Sequence, residues 1–279
     1  MNKAGNSICY LNGKYLPLGD AKISVLDRGF MFSDSVYEVV PALSSKLFLF
    51  KQHLTRLGHS LRKIGLKNPL SDEEWTDIAA TILQANGMGD WSLYIQVSRG
   101  AGPRAHWAEH DVAPTVFVMC QPLEAVCSLK SVRAITISDN RWGRCDIKST
   151  GLLPNVLAKR EAALFDCSDA IFVKGGMVTE ATASNVFVVK DRKVLTPPLT
   201  RQILPGVTRA ILIDLLEKNS ISIELRTVSE RDLKHVDEIW LTSSTRNVVT
   251  VSHLDGVSIG VGKYPVAEKA LALLELASS

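Results

Sequence analysis

Two-residue turns between short strands set the tightest limit on what this chain can fold into. Asn12-Gly13 separates apolar runs at 8–11 and 14–16, and Ser44-Ser45 separates runs at 36–43 and 46–50. Asn-Gly takes the left-handed backbone that a tight hairpin needs. Antiparallel hairpins at the start of the chain exclude a purely parallel, doubly wound sheet. Helical signals come next. Leu54, Leu57, Leu61 and Ile64 recur at helical spacing and stop at Gly65. Ser71 and Glu74 form a capping box ahead of Trp75, Ile78, Ile82 and Leu83, and Asn86-Gly87 ends that helix. Alternation at Leu93, Ile95 and Val97 predicts a strand, with another at 115–119.

Periodicity lapses around Pro122 and a new strand series begins at Val132. The chain therefore divides into a small N-terminal α+β domain over 1–120, a linker over 121–131 and a larger domain over 132–279. The 279 residues suffice for two cores. In the second domain, strands are predicted at 132–138, 170–173, 186–190 and 239–242, and helices at 155–165, 208–219 and 265–277.

Charge narrows the function. Thirty-two Lys and Arg against 29 Asp and Glu leave +3, too little to argue for nucleic acid or an anionic membrane as partner. No apolar run is long enough for a membrane helix, and residues 1–7 lack the apolar core of a signal peptide. The five cysteines make no CxxC pair, so reduced thiols, no zinc site and a cytoplasmic location are expected.

Four stretches carry unusual chemistry. Residues 141–149 place Arg141, Arg144 and Lys148 with Asp146 in a segment expected to enter a sheet. A lysine enclosed near other cations loses its proton more easily and can attack a carbonyl, but composition does not single out Lys148. Residues 178–187 put Glu180 before a small, hydroxyl-rich turn that feeds a strand. Such a carboxylate can face a protonated ring nitrogen, and such a turn is also common without function. Leu204-Pro205-Gly206-Val207-Thr208-Arg209 opens a helix, a geometry suited to phosphate, whereas no GxxxxGK[ST] or GxGxxG is present. The loop Ser98–His106, with Gly100, Gly102 and Pro103, presents Arg104 and His106, a pair that can grip a carboxylate.

Together these stretches resemble the class IV (fold type IV) pyridoxal-phosphate aminotransferases. Arg144-Cys145-Asp146-Ile147-Lys148-Ser149 resembles the family's Schiff-base lysine segment. Thr179-Glu180 through Asn185-Val186-Phe187 resembles its ring-nitrogen segment, and residues 204–209 its phosphate segment. Asp27-Arg28-Gly29-Phe30 with Asp34-Ser35-Val36-Tyr37-Glu38, and His53-Leu54-Thr55-Arg56-Leu57, complete an ordered set spanning residues 8–250. The resemblance implies a two-domain α+β fold whose larger, cofactor-binding domain has a barrel-like sheet with surrounding helices. It also implies a homodimer.

Within the family, Pro103-Arg104-Ala105-His106 is similar to the D-amino-acid-specific enzymes. The resemblance then implies transamination of D-alanine, D-glutamate or D-aspartate to 2-oxo acids with pyridoxal 5′-phosphate. Lys148 would carry the cofactor and shuttle the Cα proton. Glu180 would face the ring nitrogen and Leu204 the ring face. Arg56, Val207, Thr208 and Ser244 would hold the phosphate. Tyr37, Arg104 and His106 would hold the substrate carboxylate, the latter two reaching from the partner subunit. Arg246 departs from the pattern, and facing the pocket it could favour dicarboxylic substrates. Ala183 stands where a hydroxyl residue is usual. An aminodeoxychorismate lyase or a branched-chain L-amino-acid aminotransferase of the same family are the alternatives.

Overall fold

The computed structural model describes residues 7–107, 112–124, 128–260 and 262–278. The chain forms two compact units. One comprises Met1–Ala125 together with Ile147–Gly151, and the other Val126–Asp146 together with Leu152–Ser279.

The first unit is built on a six-stranded sheet and three helices. Its strands are β1 (Ile8–Leu11), β2 (Lys14–Pro17), β3 (Ser35–Leu43), β4 (Lys46–Leu47), β5 (Trp91–Ser98) and β6 (Thr115–Pro122), in the order β2-β1-β6-β5-β3-β4 with every pairing antiparallel. Both expected hairpins form. Asn12 and Gly13 hold φ of 47° and 87°, and Ser44 and Ser45 hold 48° and 62°, the doubly left-handed turn that matches strand twist. Helices α1 (Arg28–Phe32), α2 (Phe50–Lys63) and α3 (Asp72–Asn86) complete the unit. The capping box at Ser71 and Glu74 is present. Leu57, Leu61, Trp75 and Ile82 from α2 and α3 bury fully against Val36, Val40, Leu93 and Val97 of the sheet.

The second unit carries a nine-stranded sheet. In chain order its strands are β7 (Lys130–Ser138), β8 (Asp169–Lys174), β9 (Met177–Ala181), β10 (Asn185–Lys190), β11 (Lys193–Thr196), β12 (Ile223–Leu225), β13 (Glu238–Ser243), β14 (Asn247–Leu254) and β15 (Val257–Ser258). The order is β12-β11-β10-β13-β14-β7-β8-β9, with β15 beside β14. The pairs β11–β12, β14–β7 and β7–β8 are parallel. The sheet curls until β9 meets β10 through a short turn, where Ala181 N–H donates to Ser184 C=O at 2.7 Å. This is the barrel-like form expected of the larger domain. Val186, Val188, Ile239, Leu241 and Val251 line one core and Phe172, Ala158 and Ala162 another. Helices α4 (Leu153–Leu164), α5 (Val207–Lys218) and α6 (Pro265–Ser278) accompany it.

Three expectations need correction. The segment around Lys148 does not enter a sheet as a strand; Ser149 makes only a single bridge to Val36. Residues 147–151 also belong to the first unit, not the second. Ile147 fills the first unit's core, Tyr37 N–H donates to Lys148 C=O at 3.0 Å, and Thr150 N–H donates to Ser35 C=O at 3.2 Å. These contacts are long-range, so local periodicity carries no trace of them. The expected linker shrinks as well. β6 runs to Pro122 and β7 starts at Lys130, while 125–127 lie outside the described residues.

Candidate active site

In the first unit, Lys148 is partly buried beside Tyr37. Its Nζ lies 4.2 Å from the Tyr37 ring centroid, a cation–π distance. Both ends of its peptide unit are pinned, by Tyr37 N–H and by Ser60 Oγ, which accepts from Lys148 N–H at 3.3 Å. Tyr37 stacks on Tyr94, whose hydroxyl donates to Gln96 Oε1 at 2.7 Å; burial, then the Tyr37 neighbour, pushes the Tyr94 hydroxyl up to about 12.

Arg56 is held by a buried carboxylate from the neighbouring strand. Glu38 is fully enclosed and accepts from Arg56 Nε and Nη2, both at 2.7 Å, and lies 2.7 Å from His53 Nδ1. His53 and Arg56 sit three apart on α2 and so share one face. Burial alone would raise the Glu38 carboxyl, but the Arg56 charge and the hydrogen bonds outweigh it and hold the group at about 2. Burial also lowers His53 against the pull of Glu38. The fork fixes the Arg56 side chain in one orientation.

Arg104 and His106 are exposed on their loop, and both pack on Phe32. The Arg104 guanidinium lies 5.5 Å from that ring, and the His106 ring meets it edge-on at 5.8 Å. The loop is braced by Arg28, which the sequence marked only as part of a signature. Its Nη1 donates to Ala105 C=O at 2.5 Å and its Nη2 to His106 C=O at 3.1 Å, while Nε pairs with Asp34 at 2.9 Å. Arg99 grips the same Asp34. Asp27 caps α1 at Gly29 N–H and accepts from Ser98 and Thr115. A Cβ on Gly29 would come within 2.8 Å of Ser98 Cβ, which requires glycine there.

In the second unit, Glu180 sits near the end of β9, 6% exposed. One carboxylate oxygen accepts from Arg141 Nη1; the other accepts from Leu204 N–H at 3.0 Å and Asn185 Nδ2 at 3.3 Å. Three donors on one enclosed carboxylate favour its ionised form. Arg141 is itself held by Asp139, by Thr179 Oγ1 and by Gln202 C=O, and lies over the Phe172 ring at 4.5 Å. Nothing in the local sequence around Arg141 announces that clamp, because Arg141 follows β7 while Glu180 lies 39 residues on, within β9.

Leu204 thus joins Glu180 through its backbone, and Val207 and Thr208 follow at the start of α5. Its N-cap residue, Gly206, offers no side-chain cap, and the first amides of a helix have no intrahelical acceptor. A Cβ on Gly206 would sit 2.0 Å from Asn185 Oδ1, so only glycine lets this backbone close on the residue that holds Glu180. Ser244 lies in the turn between β13 and β14, and β13 pairs with β10 through Thr242 and Asn185. Arg246 of that turn does not stand free. Its Nη2 donates to the fully buried Asp169 at 2.7 Å and to Ser184 Oγ at 3.0 Å. Its charge is paired with Asp169 of β8, which Lys159 and Thr182 also engage.

The donor set fits pyridoxal 5′-phosphate. The second unit offers a clamped carboxylate for a ring N–H and a bare helix N-terminus for a phosphate. The first offers an amine and a fixed arginine.

Comparison with known proteins agrees with this chemistry. Residues 35–254 match the family model for amino-transferase class IV. The chain is 36% identical to a D-alanine aminotransferase of Bacillus licheniformis over 90% of this chain and 89% of that protein. It is 35% identical to one from Staphylococcus epidermidis over 94% of each. Among solved structures, a hypothetical aminotransferase from Mycobacterium tuberculosis in a PLP-bound form is 27% identical, with a TM-score of 0.85 over 97% of this chain and 98% of that one. With its family model, its relatives and a matching donor set in agreement, the chain belongs to the class IV aminotransferases, enzymes that work with pyridoxal 5′-phosphate.

Proposed function

We propose that this enzyme transfers the amino group of D-amino acids, D-alanine among them, to a 2-oxo acid. The observation that carries the reading is the Lys148 amine held against Tyr37, in a chain similar to D-alanine aminotransferases along almost its whole length. Pyridoxal 5′-phosphate, when bound, supplies an aldehyde carbon for the amino group and a ring that accommodates the electron pair left at Cα.

The chain's own residues do the rest. The Lys148 amine carries the cofactor and moves the proton between Cα and the cofactor carbon. Glu180, kept ionised by Arg141, Leu204 N–H and Asn185, holds a proton on the ring nitrogen. Leu204 covers the ring face. Arg56, the first amides of α5 at Val207 and Thr208, and the hydroxyls of Thr208 and Ser244 hold the phosphate. Tyr37, Arg104 and His106 take the substrate carboxylate and so decide which Cα hydrogen faces Lys148.

Arg104 and His106 serve this role from a partner copy of the chain. Supporting a homodimer, Ile23, Val25, Phe30 and Trp107 near their loop are half exposed or more, as are Leu153, Val156 and Leu157 on α4. Exposed large apolar side chains on each unit fit surfaces covered by a second copy. A cytoplasmic setting fits the buried free thiols of Cys9, Cys120, Cys145 and Cys167; Cys127 lies outside the described residues. No helix among the described residues is long and apolar enough to cross a membrane.

The test is product identity. With D-alanine and 2-oxoglutarate, the enzyme forms pyruvate and D-glutamate, resolved by chiral chromatography. L-valine gives no 2-oxo acid. Turnover of L-valine without D-alanine would instead favour the branched-chain alternative.

A further inference from the structure

Four arginines are buried among the described residues: Arg28, Arg56, Arg141 and Arg209. The first three meet carboxylates, at Asp34, Glu38, and Asp139 with Glu180. Arg209 is the most enclosed, at 3% exposure, and meets none among the described residues. Its Nη2 donates to Pro197 C=O at 3.0 Å, and its Nε has no hydrogen-bond partner.

Its position compounds the cost. Arg209 is the third residue of α5, in the first turn, where the positive end of the helix dipole disfavours a cation. A buried cation without a counter-charge is itself unfavourable, and burial accordingly pulls the Arg209 pKa down. An anion bound at this helix end would be attracted by both the cation and the dipole and so offset both unfavourable terms.

We propose that Arg209 is an electrostatic positioning residue for the cofactor's phosphate, a buried charge left without a carboxylate so that a dianion at the α5 N-terminus can complete it. This rests on the reading that the phosphate sits at that N-terminus. Arg209 acts through space, since its Nη2 is already engaged with Pro197. At an effective dielectric of about 20, a unit charge acting on a dianion across a separation on the order of 10 Å, taken only as a scale, would change binding on the order of 10²-fold. The bland alternative is that Arg209 only pins the Pro197 carbonyl and shapes the loop before α5.

Separating the two requires a ligand without the phosphate. Affinities for pyridoxal 5′-phosphate and for pyridoxal are measured by fluorescence titration on the apoenzyme and on Arg209→Met, Arg209→Lys and Thr208→Val. Arg209→Met is expected to weaken pyridoxal 5′-phosphate binding on the order of 10²-fold and pyridoxal binding less than about 3-fold. Arg209→Lys retains the charge but not the fork, and is expected to keep most of the preference for the phosphorylated ligand. Thermal unfolding of the Arg209→Met apoenzyme is expected no lower than that of the parent, because an uncompensated charge has been removed.

Equal loss of both ligands in Arg209→Lys and Arg209→Met marks a structural role and overturns the proposal. So does an unchanged preference in both. Thr208→Val reports on the underlying reading by itself. If Thr208→Val cuts the preference while both Arg209 variants keep it, only the role of Arg209 falls. If none of the three variants alters the preference, the phosphate lies elsewhere and both readings fall.

Discussion

Replacing Glu38 with Gln removes the carboxylate that holds Arg56 and changes almost no volume. Glu38 is fully buried, and its carboxyl sits at about 2 against an ordinary 4.5. That lowering corresponds to about 3 kcal/mol of folding free energy at neutral pH. A second route gives the same scale: breaking a buried ion pair by removing one partner costs ~3–5 kcal/mol, because the other charge is left uncompensated. With a urea slope of about 2 kcal/mol per molar, the midpoint of the first unit's transition falls by roughly 1.5 M. The sign with pH follows from the lowered group. The contribution is complete above the unfolded value near 4.5 and fades as pH falls toward about 2. Thus the gap between the parent and Glu38→Gln closes on acidification through that window. The assay is urea unfolding of the apoenzyme at several pH values, followed by tryptophan fluorescence, since Trp75 is buried in the same unit's core. The double variant Glu38→Gln with Arg56→Met provides the internal check. It should be more stable than Glu38→Gln alone, because the stranded cation is gone. A loss below about 1 kcal/mol, or a double variant weaker than the single one, would refute the account of the Glu38–Arg56 pair.

Other expectations follow from the same geometry. Lys148→Ala should lower turnover at least ~10²–10⁴-fold, and borohydride treatment followed by mass spectrometry should no longer attach the cofactor to the chain. Arg28→Lys keeps the charge but loses the fork on Ala105 and His106. It should raise the KM for D-alanine about 10-fold with little change in kcat, as expected for loss of a loop brace. Gly206→Ala pushes a methyl to 2.0 Å from Asn185 Oδ1; it should cost about 1–3 kcal/mol of stability and weaken cofactor binding, read by thermal unfolding with and without the cofactor. Burial raises the Cys120 and Cys145 thiols to about 11, so neither should react with iodoacetamide at pH 8 until the protein is unfolded.

Local signals were legible and long-range ones were not. The Asn12-Gly13 turn, the Ser71–Glu74 box and the end of α2 at Gly65 each depend on neighbours a few residues away, and each forms as the residue types dictate. β14 does carry a local strand signal in Val248-Val249-Thr250-Val251, whereas the run containing Glu180 reads as a turn because its small hydroxyl residues outweigh its short apolar stretch. The placement of Lys148 in the first unit depends on Ser35, Tyr37 and Ser60, about 90 to 115 residues away. The sequence places Arg141 and Arg28 only in their segments, and Asp139 in none; the fold shows Arg141 holding the Glu180 carboxylate, Arg28 the loop carbonyls and Asp139 the Arg141 guanidinium. Arg246 is the converse case. The sequence offered it as a possible specificity residue, but Asp169 and Ser184 engage it.

The most direct test of the central claim is the absorption spectrum of the purified, cofactor-loaded enzyme in a single half-reaction, with D-alanine in one cuvette and L-valine in the other. The account predicts that D-alanine converts the bound cofactor from its lysine-linked form to its amine form with release of pyruvate, and that L-valine leaves the spectrum unchanged. Conversion by L-valine alone, or a loaded enzyme whose spectrum neither amino acid changes, contradicts it.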